Sequence, residues 1–224
     1  MKFIDVTLRD GGHQHGFYWP LEFIERYLKS LNSFKEIEFV ELGYWKQSGK
    51  FEGPFYSIEE NLLSSICKMT KKKLSIMVDY HYCSHNVEDF PSTEYFKELG
   101  LIRVCLRKED ILDGCKFVKD LKEFTKCKLS INFFNITNYN EEDLALACKA
   151  AASSDADFMY FADTHGGLDL GKNLKMFQSC TNMIKEIGMI PELHLHDPSD
   201  KDYLNYRNIL NAGLCSTTIS LEGL

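Results

Sequence analysis

The stretch Asp5-Val-Thr-Leu-Arg-Asp-Gly-Gly-His-Gln-His15 decides how the rest of the chain is read. It extends an apolar and β-branched run that begins at Phe3, so a first strand is expected over Phe3–Leu8. The run breaks at the Gly11-Gly12 pair, and a Gly- and aromatic-rich loop is expected from there to Pro20. At the break Arg9, Asp10, His13 and His15 fall within seven residues. A guanidinium, a carboxylate and imidazoles on the exit of a first strand look like half of a metal site. The matching half is His194-Leu-His196-Asp197, almost a whole chain away. The fold must bring the two together.

Outward from this stretch, short strand-like runs alternate with amphipathic segments. Strands are expected over Phe3–Leu8, Ile37–Leu42, Leu74–Val78, Ile102–Leu106, Leu129–Phe134, Asp157–Phe161, Ile190–Leu195 and Cys215–Leu221. Seven helical segments lie between them. In the first, after Pro20, Leu21, Ile24, Leu28 and Leu31 recur at helical spacing. Strict alternation predicts a parallel sheet with crossover helices. Eight such units favour a closed (β/α)8 TIM barrel, here apparently lacking its last helix because the sequence stops just after strand eight. There is no linker or shift of composition, so one catalytic domain over residues 1–224 is expected.

Hydrophobic residues make up 44% of the 224, enough for a full core. The net charge is −7, and the longest basic run is Lys71-Lys72-Lys73, which argues against a nucleic-acid partner. No apolar run approaches the roughly 18–20 residues needed to cross a membrane. Eight Cys occur without a C-x-x-C pair, and no secretion signal opens the chain. Reduced, buried thiols in a cytoplasmic protein are therefore expected, and a homo-oligomer is compatible with the sequence.

All seven His are expected at or just past strand ends, after strands one, three, six and seven, with none in a helix. In such a barrel those exits form the face where active sites are built. His194 and His196, two apart in a strand, point to one side. With Asp10 they make a mixed nitrogen and oxygen ligand set with open positions. That set suits Mn2+ or Mg2+, with Zn2+, Co2+ or Fe2+ as alternatives. Arg9 either faces a substrate anion or pairs with Glu41 or Asp163. His13 is a general acid/base or a supporting hydrogen-bond partner. Glu41, Tyr44, His81, Asp163 and Thr164 stand at other strand exits and are candidate substrate contacts, as are Arg107 and Asn132. No Lys is expected at a strand end, as a Schiff-base aldolase would need; Lys108, in a loop, is the nearest.

Four motifs carry a resemblance: Thr7-Leu8-Arg9-Asp10-Gly11, Val40-Glu41-Leu42-Gly43, Asp163-Thr164-His165-Gly166 and His194-Leu195-His196-Asp197. In this order they resemble the metal-dependent TIM-barrel aldolases, lyases and Claisen synthases, a superfamily that includes 4-hydroxy-2-oxovalerate aldolase and hydroxymethylglutaryl-CoA lyase. Asp10-Gly11-Gly12-His13 resembles the aldolase form of the first motif. The resemblance implies Asp10, His194 and His196 as metal ligands, Arg9 stabilising an enolate, and His13 moving the proton. It implies a lyase that cleaves or forms a C–C bond of a 2-oxo acid, giving a pyruvate-like keto acid and an aldehyde. An acyl-CoA synthase of the same superfamily is one alternative. A non-catalytic, partner-dependent barrel subunit is another.

Overall fold

The structure, a computed structural model, describes residues 2–47, 53–91, 93–165, 170–195 and 216–219. Eight parallel strands close into a barrel in chain order: β1 (Lys2–Asp5), β2 (Ile37–Trp45), β3 (Lys73–Asp79), β4 (Leu99–Leu106), β5 (Leu129–Phe133), β6 (Phe158–Asp163), β7 (Ile190–Leu195) and β8 (Ser216–Ile219). The helices are α1 (Thr7–His15), α2 (Leu21–Leu31), α3 (Glu60–Cys67), α4 (Thr93–Lys97), α5 (Ile111–Thr125), α6 (Glu141–Ala151) and α7 (Leu170–Glu186). The barrel closes where β8 pairs with both β1 and β7. Ser216 is level with Lys2 on one side and Glu192 on the other. Strands one and seven are thus separated by a single strand, as the two halves of the expected site require. No described helix is long and apolar enough to cross a membrane. The helix expected after strand seven lies outside the described residues, and so does the segment after β8.

Alternation along each strand sorts side chains between the barrel interior and the helix layer. The interior is built in levels. At its base Ile4, Val6, Phe39, Leu101, Phe158 and Tyr160 form a small apolar plug. Above it the interior turns polar: Glu41 on β2, Arg103 on β4, and Ser130 and Asn132 on β5 are all buried. The strand faces turned outward, with Leu74, Ile76 and Val78 on β3 as an example, join the larger core against the helices. A charged middle above an apolar base leaves the polar work to the C-terminal end of the strands.

Two segments differ from their sequence expectation, and both differences move site residues. The first strand ends at Asp5, and Thr7–His15 is a helix. His13 and His15 are therefore helical, contrary to the expectation that no His lies in a helix. Two glycines cost a helix about 1 kcal/mol each relative to Ala, which is why the segment reads as loop. Tertiary packing outweighs that cost. Leu8 and Phe17 are fully buried, and a Cβ on Gly12 would stand 2.4 Å from the Phe17 ring. Gly16 ends the helix at φ +62°, a backbone conformation that favours glycine.

The second difference is in β2, which does not stop before Gly43 but runs to Trp45, with an irregularity in its pairing to β3 between Glu41 and Tyr44. Gly43 is needed because a Cβ there would meet the Phe55 carbonyl oxygen at 2.1 Å. That same carbonyl accepts from the Tyr44 amide at 2.9 Å.

Candidate active site

The site is built upward from Glu41. Its carboxylate is completely buried and accepts from two guanidiniums, Arg9 Nε at 2.8 Å and Arg103 Nη1 at 2.9 Å. Arg103 lies over the Tyr160 ring, 4.5 Å from its centroid. With its amide oxygen turned toward Arg103, Asn132 accepts from Nη2 at 2.6 Å. A buried carboxylate shared by two cations is held by geometry, since removing it would strand both charges at about 3–5 kcal/mol. Glu41 therefore orients Arg9, one of the two pairings the sequence left open. Arg103, central to this network, reads in the sequence as one polar residue in an apolar strand. Its inward parity with Leu101 and Cys105 is the signal that could have found it.

Arg9 Nη1 also bonds Asp10 Oδ1. Burial alone would lower the Arg9 pKa, but the charges of Asp10, Tyr44 and Glu41 raise it, so it stays cationic. Its Nη2 has no hydrogen-bond partner among the described residues. Asp10 keeps its second oxygen, Oδ2, buried and without a hydrogen-bond partner among the described residues. A buried carboxylate oxygen left unpaired costs the full desolvation penalty unless a ligand completes it. Because helix α1 places residues three apart on one side, His13 follows Asp10 at the mouth. His13 Nε2 lies 3.2 Å from Tyr44 Oη. Burial, ahead of neighbouring charges, pushes the Tyr44 phenol up, so it remains protonated.

From β7, His194 is buried and shares inward parity with Glu192. Burial raises the Glu192 carboxyl to about 8, with Arg103 opposing, so it is largely neutral at pH 7. His196 and Asp197 lie outside the described residues. Among the described residues no group of three or more His, Cys, Asp or Glu is gathered for a metal ion. The expected set is represented there by Asp10 and His194. The unpaired Asp10 Oδ2 and the inward His194 are the donors a hard or borderline divalent cation takes, so the residues present fit the group.

The other candidates divide. Tyr44 is at the site. Asp163 is buried as the last residue of β6, on the parity of Met159 and Phe161, which pack in the helix-side core. Thr164 is exposed, and its hydroxyl accepts from the Asn135 amide at 3.0 Å, tying the exits of β5 and β6 together. His81 is exposed in a 3-10 turn after β3, edge-on to Tyr82. Contrary to expectation, a lysine does stand at a strand end. The extension of β2 sets Lys46 at the mouth, 7% exposed and 3.1 Å from Asp79 Oδ2. Its ammonium lies over the rings of Tyr44, Tyr56 and Tyr82 at 4.0, 4.8 and 4.9 Å. Its ammonium is thus engaged by a carboxylate and three aromatic rings.

No protein-family model matches the chain, and no curated protein matches it. Solved structures do. The N-terminal domain of a candidate aldolase from Bacteroides vulgatus is similar over 100% of this chain and 73% of its own, with a TM-score of 0.85 at 20% identity. The HMG-CoA lyase of Bacillus subtilis matches 100% of this chain and 78% of its own, with a TM-score of 0.67 at 12% identity. The carboxyl transferase domain of Rhizobium etli pyruvate carboxylase matches 99% of this chain, with a TM-score of 0.72 at 14% identity; the match spans 40% of that longer chain. At these identities the likeness establishes the fold.

Proposed function

We propose that the chain is a divalent-metal-dependent carbon–carbon lyase, an aldolase that cleaves a 4-hydroxy-2-oxo acid into a pyruvate-like keto acid and an aldehyde. One observation carries the reading: among the described residues, Asp10 presents a buried carboxylate oxygen with no hydrogen-bond partner, beside an Arg9 whose Nη2 makes no hydrogen bond there. A structural ion pair would satisfy both. The names of the similar solved structures, an aldolase, an HMG-CoA lyase and the carboxyl transferase domain of pyruvate carboxylase, support the same class.

Asp10, His194 and His196 would hold the cation, with Mn2+ or Mg2+ suited to the set. Such an ion supplies Lewis-acid charge at a 2-oxo group. The rest is the work of side chains. Glu41 and Asp10 hold the Arg9 guanidinium so that Nη2 meets the oxyanion that develops on the 2-oxo oxygen. His13 takes the 4-hydroxyl proton as the C3–C4 bond breaks, and that electron pair passes to the enolate. Tyr44, a protonated phenol against His13 Nε2, orients the imidazole. A proton returned to C3 completes the keto acid. A small-molecule aldehyde is the second product.

The test is turnover after removal of metal and addition of Mn2+ or Mg2+. Pyruvate release from 4-hydroxy-2-oxo acids is followed for wild type and Asp10→Asn. Metal-dependent release that falls by about 10²-fold or more in Asp10→Asn is expected. Release that is unaffected by the substitution contradicts the reading. Release of free CoA from acetyl-CoA and a 2-oxo acid, without aldol cleavage, assigns the chain to Claisen synthesis instead.

A further inference from the structure

Among the described residues, the ion pairs around the mouth leave one cation over. Arg9 and Arg103 share Glu41, and Arg9 also bonds Asp10. Lys46 pairs with Asp79. Arg107 continues the inward parity of Arg103 and Cys105 past the end of β4, and it makes no ion pair among the described residues. The nearby Asp110 is engaged elsewhere, accepting from the Arg107 backbone amide at 3.2 Å. Among the described residues, four side-chain cations thus line the mouth against the carboxylates of Glu41, Asp10 and Asp79. The excess sits at one place. The Arg107 guanidinium is 5.9 Å from the Tyr82 ring centroid, and the Lys46 ammonium is 4.9 Å from the same ring. From there Lys46 and Tyr44 form a continuous path to His13.

We propose that Arg107, with Lys46 and the Tyr82 ring, forms a subsite for a second anionic group on the substrate, a carboxylate or phosphate distal to the reacting 2-oxo acid. An unpaired guanidinium next to an aromatic face and a second cation is a binding geometry for such an anion. A mouth already carrying excess positive charge gains a further two charges when a divalent cation binds. A substrate with one negative charge leaves that excess uncompensated; a dianionic or trianionic one offsets it. The inference rests on the lyase reading for the position of the reacting end, and it names the substrate class: 4-hydroxy-2-oxo acids with an acidic tail.

Calorimetry in the presence of Mg2+ tests it without turnover. The probes are 2-oxobutyrate, which has only the reacting end, and 2-oxoglutarate, which adds a distal carboxylate. A third, 2-dehydro-3-deoxy-6-phosphogluconate, carries a distal phosphate; if it turns over, all three probes are compared in the same His13→Gln protein, which keeps Asp10, His194 and His196. At least one acid-tailed probe is expected to bind about tenfold more tightly than 2-oxobutyrate, and which one does so identifies the tail. Arg107→Gln is expected to remove that advantage and Arg107→Lys to restore part of it. Lys108→Gln removes the neighbouring charge, which pairs with Asp143 instead, and is expected to keep the advantage. Equal affinity for all three probes, or an equal loss in Arg107→Gln and Lys108→Gln, overturns the subsite. Discrimination without cleavage of any 4-hydroxy-2-oxo acid would leave the subsite standing and remove the lyase reading. Cleavage without discrimination would do the reverse.

Discussion

Asp5 ends β1 with its carboxyl buried and served by three donors. Tyr27 Oη donates to it at 2.8 and 2.9 Å, and Thr7 contributes its amide at 3.3 Å and its hydroxyl at 3.4 Å. These bonds tie the start of α1 to the strand below and to α2. Burial outweighs them and raises the Asp5 pKa to about 6, from an ordinary 3.8. A carboxyl raised on folding binds its proton more tightly in the native state. The stability tied to it is therefore present at low pH and is lost as pH rises from about 4 to above 6. The shift corresponds to something on the order of 3 kcal/mol. Asp5→Asn keeps an acceptor for Thr7 and Tyr27 and removes the titration. Denaturant unfolding at pH 4 and pH 8 should show the variant gaining on wild type by about 2–3 kcal/mol at the higher pH. Equal differences at both pH values would show that Asp5 is not the titrating group.

At the scale of elements, β2 and α1 position the chemistry, and both depend on glycines whose reasons lie far away in sequence. Gly43 lets the strand continue against the Phe55 carbonyl and so delivers Tyr44 and Lys46 to the mouth. Gly43→Ala sets a Cβ against backbone that cannot swing aside. A loss of about 1–3 kcal/mol in denaturant unfolding is expected, with loss of activity through misplaced Tyr44. Wild-type stability in that variant would show that the Phe55 segment yields freely.

These same elements mark the limit of what the sequence reveals. Strand order and barrel closure were legible, because apolar alternation and helical spacing are local patterns. Arg9, Asp10 and His13 were legible as a cluster because they are contiguous. The helix that carries them was not, since its two glycines argue against helix and the compensating contact, Phe17 over Gly12, is tertiary. Lys46 was missed for the same reason: Gly43 reads as a strand end unless the Phe55 carbonyl is known. Arg103 and its hold on Glu41 join residues 62 apart, a pairing that no local pattern encodes.

Taken whole, the molecule is a barrel with an apolar base, a buried ionic middle and a polar mouth. Glu41 shares its charge between two arginines, and among the described residues Asp10 Oδ2 and Arg9 Nη2 are left without a hydrogen-bond partner. That arrangement is suited to stabilising an enolate, whichever aldehyde is the partner. Deuterium exchange tests this without knowledge of the partner. The C3 hydrogens of pyruvate and of 2-oxoglutarate are followed by proton NMR in D2O with Mg2+. Wild type is expected to exchange C3 hydrogens of at least one of the two well above the buffer rate. Exchange should stop on chelation and fall by about 10²-fold in Asp10→Asn. Exchange at the buffer rate with both acids, or undiminished in Asp10→Asn, would contradict enolate chemistry at this mouth.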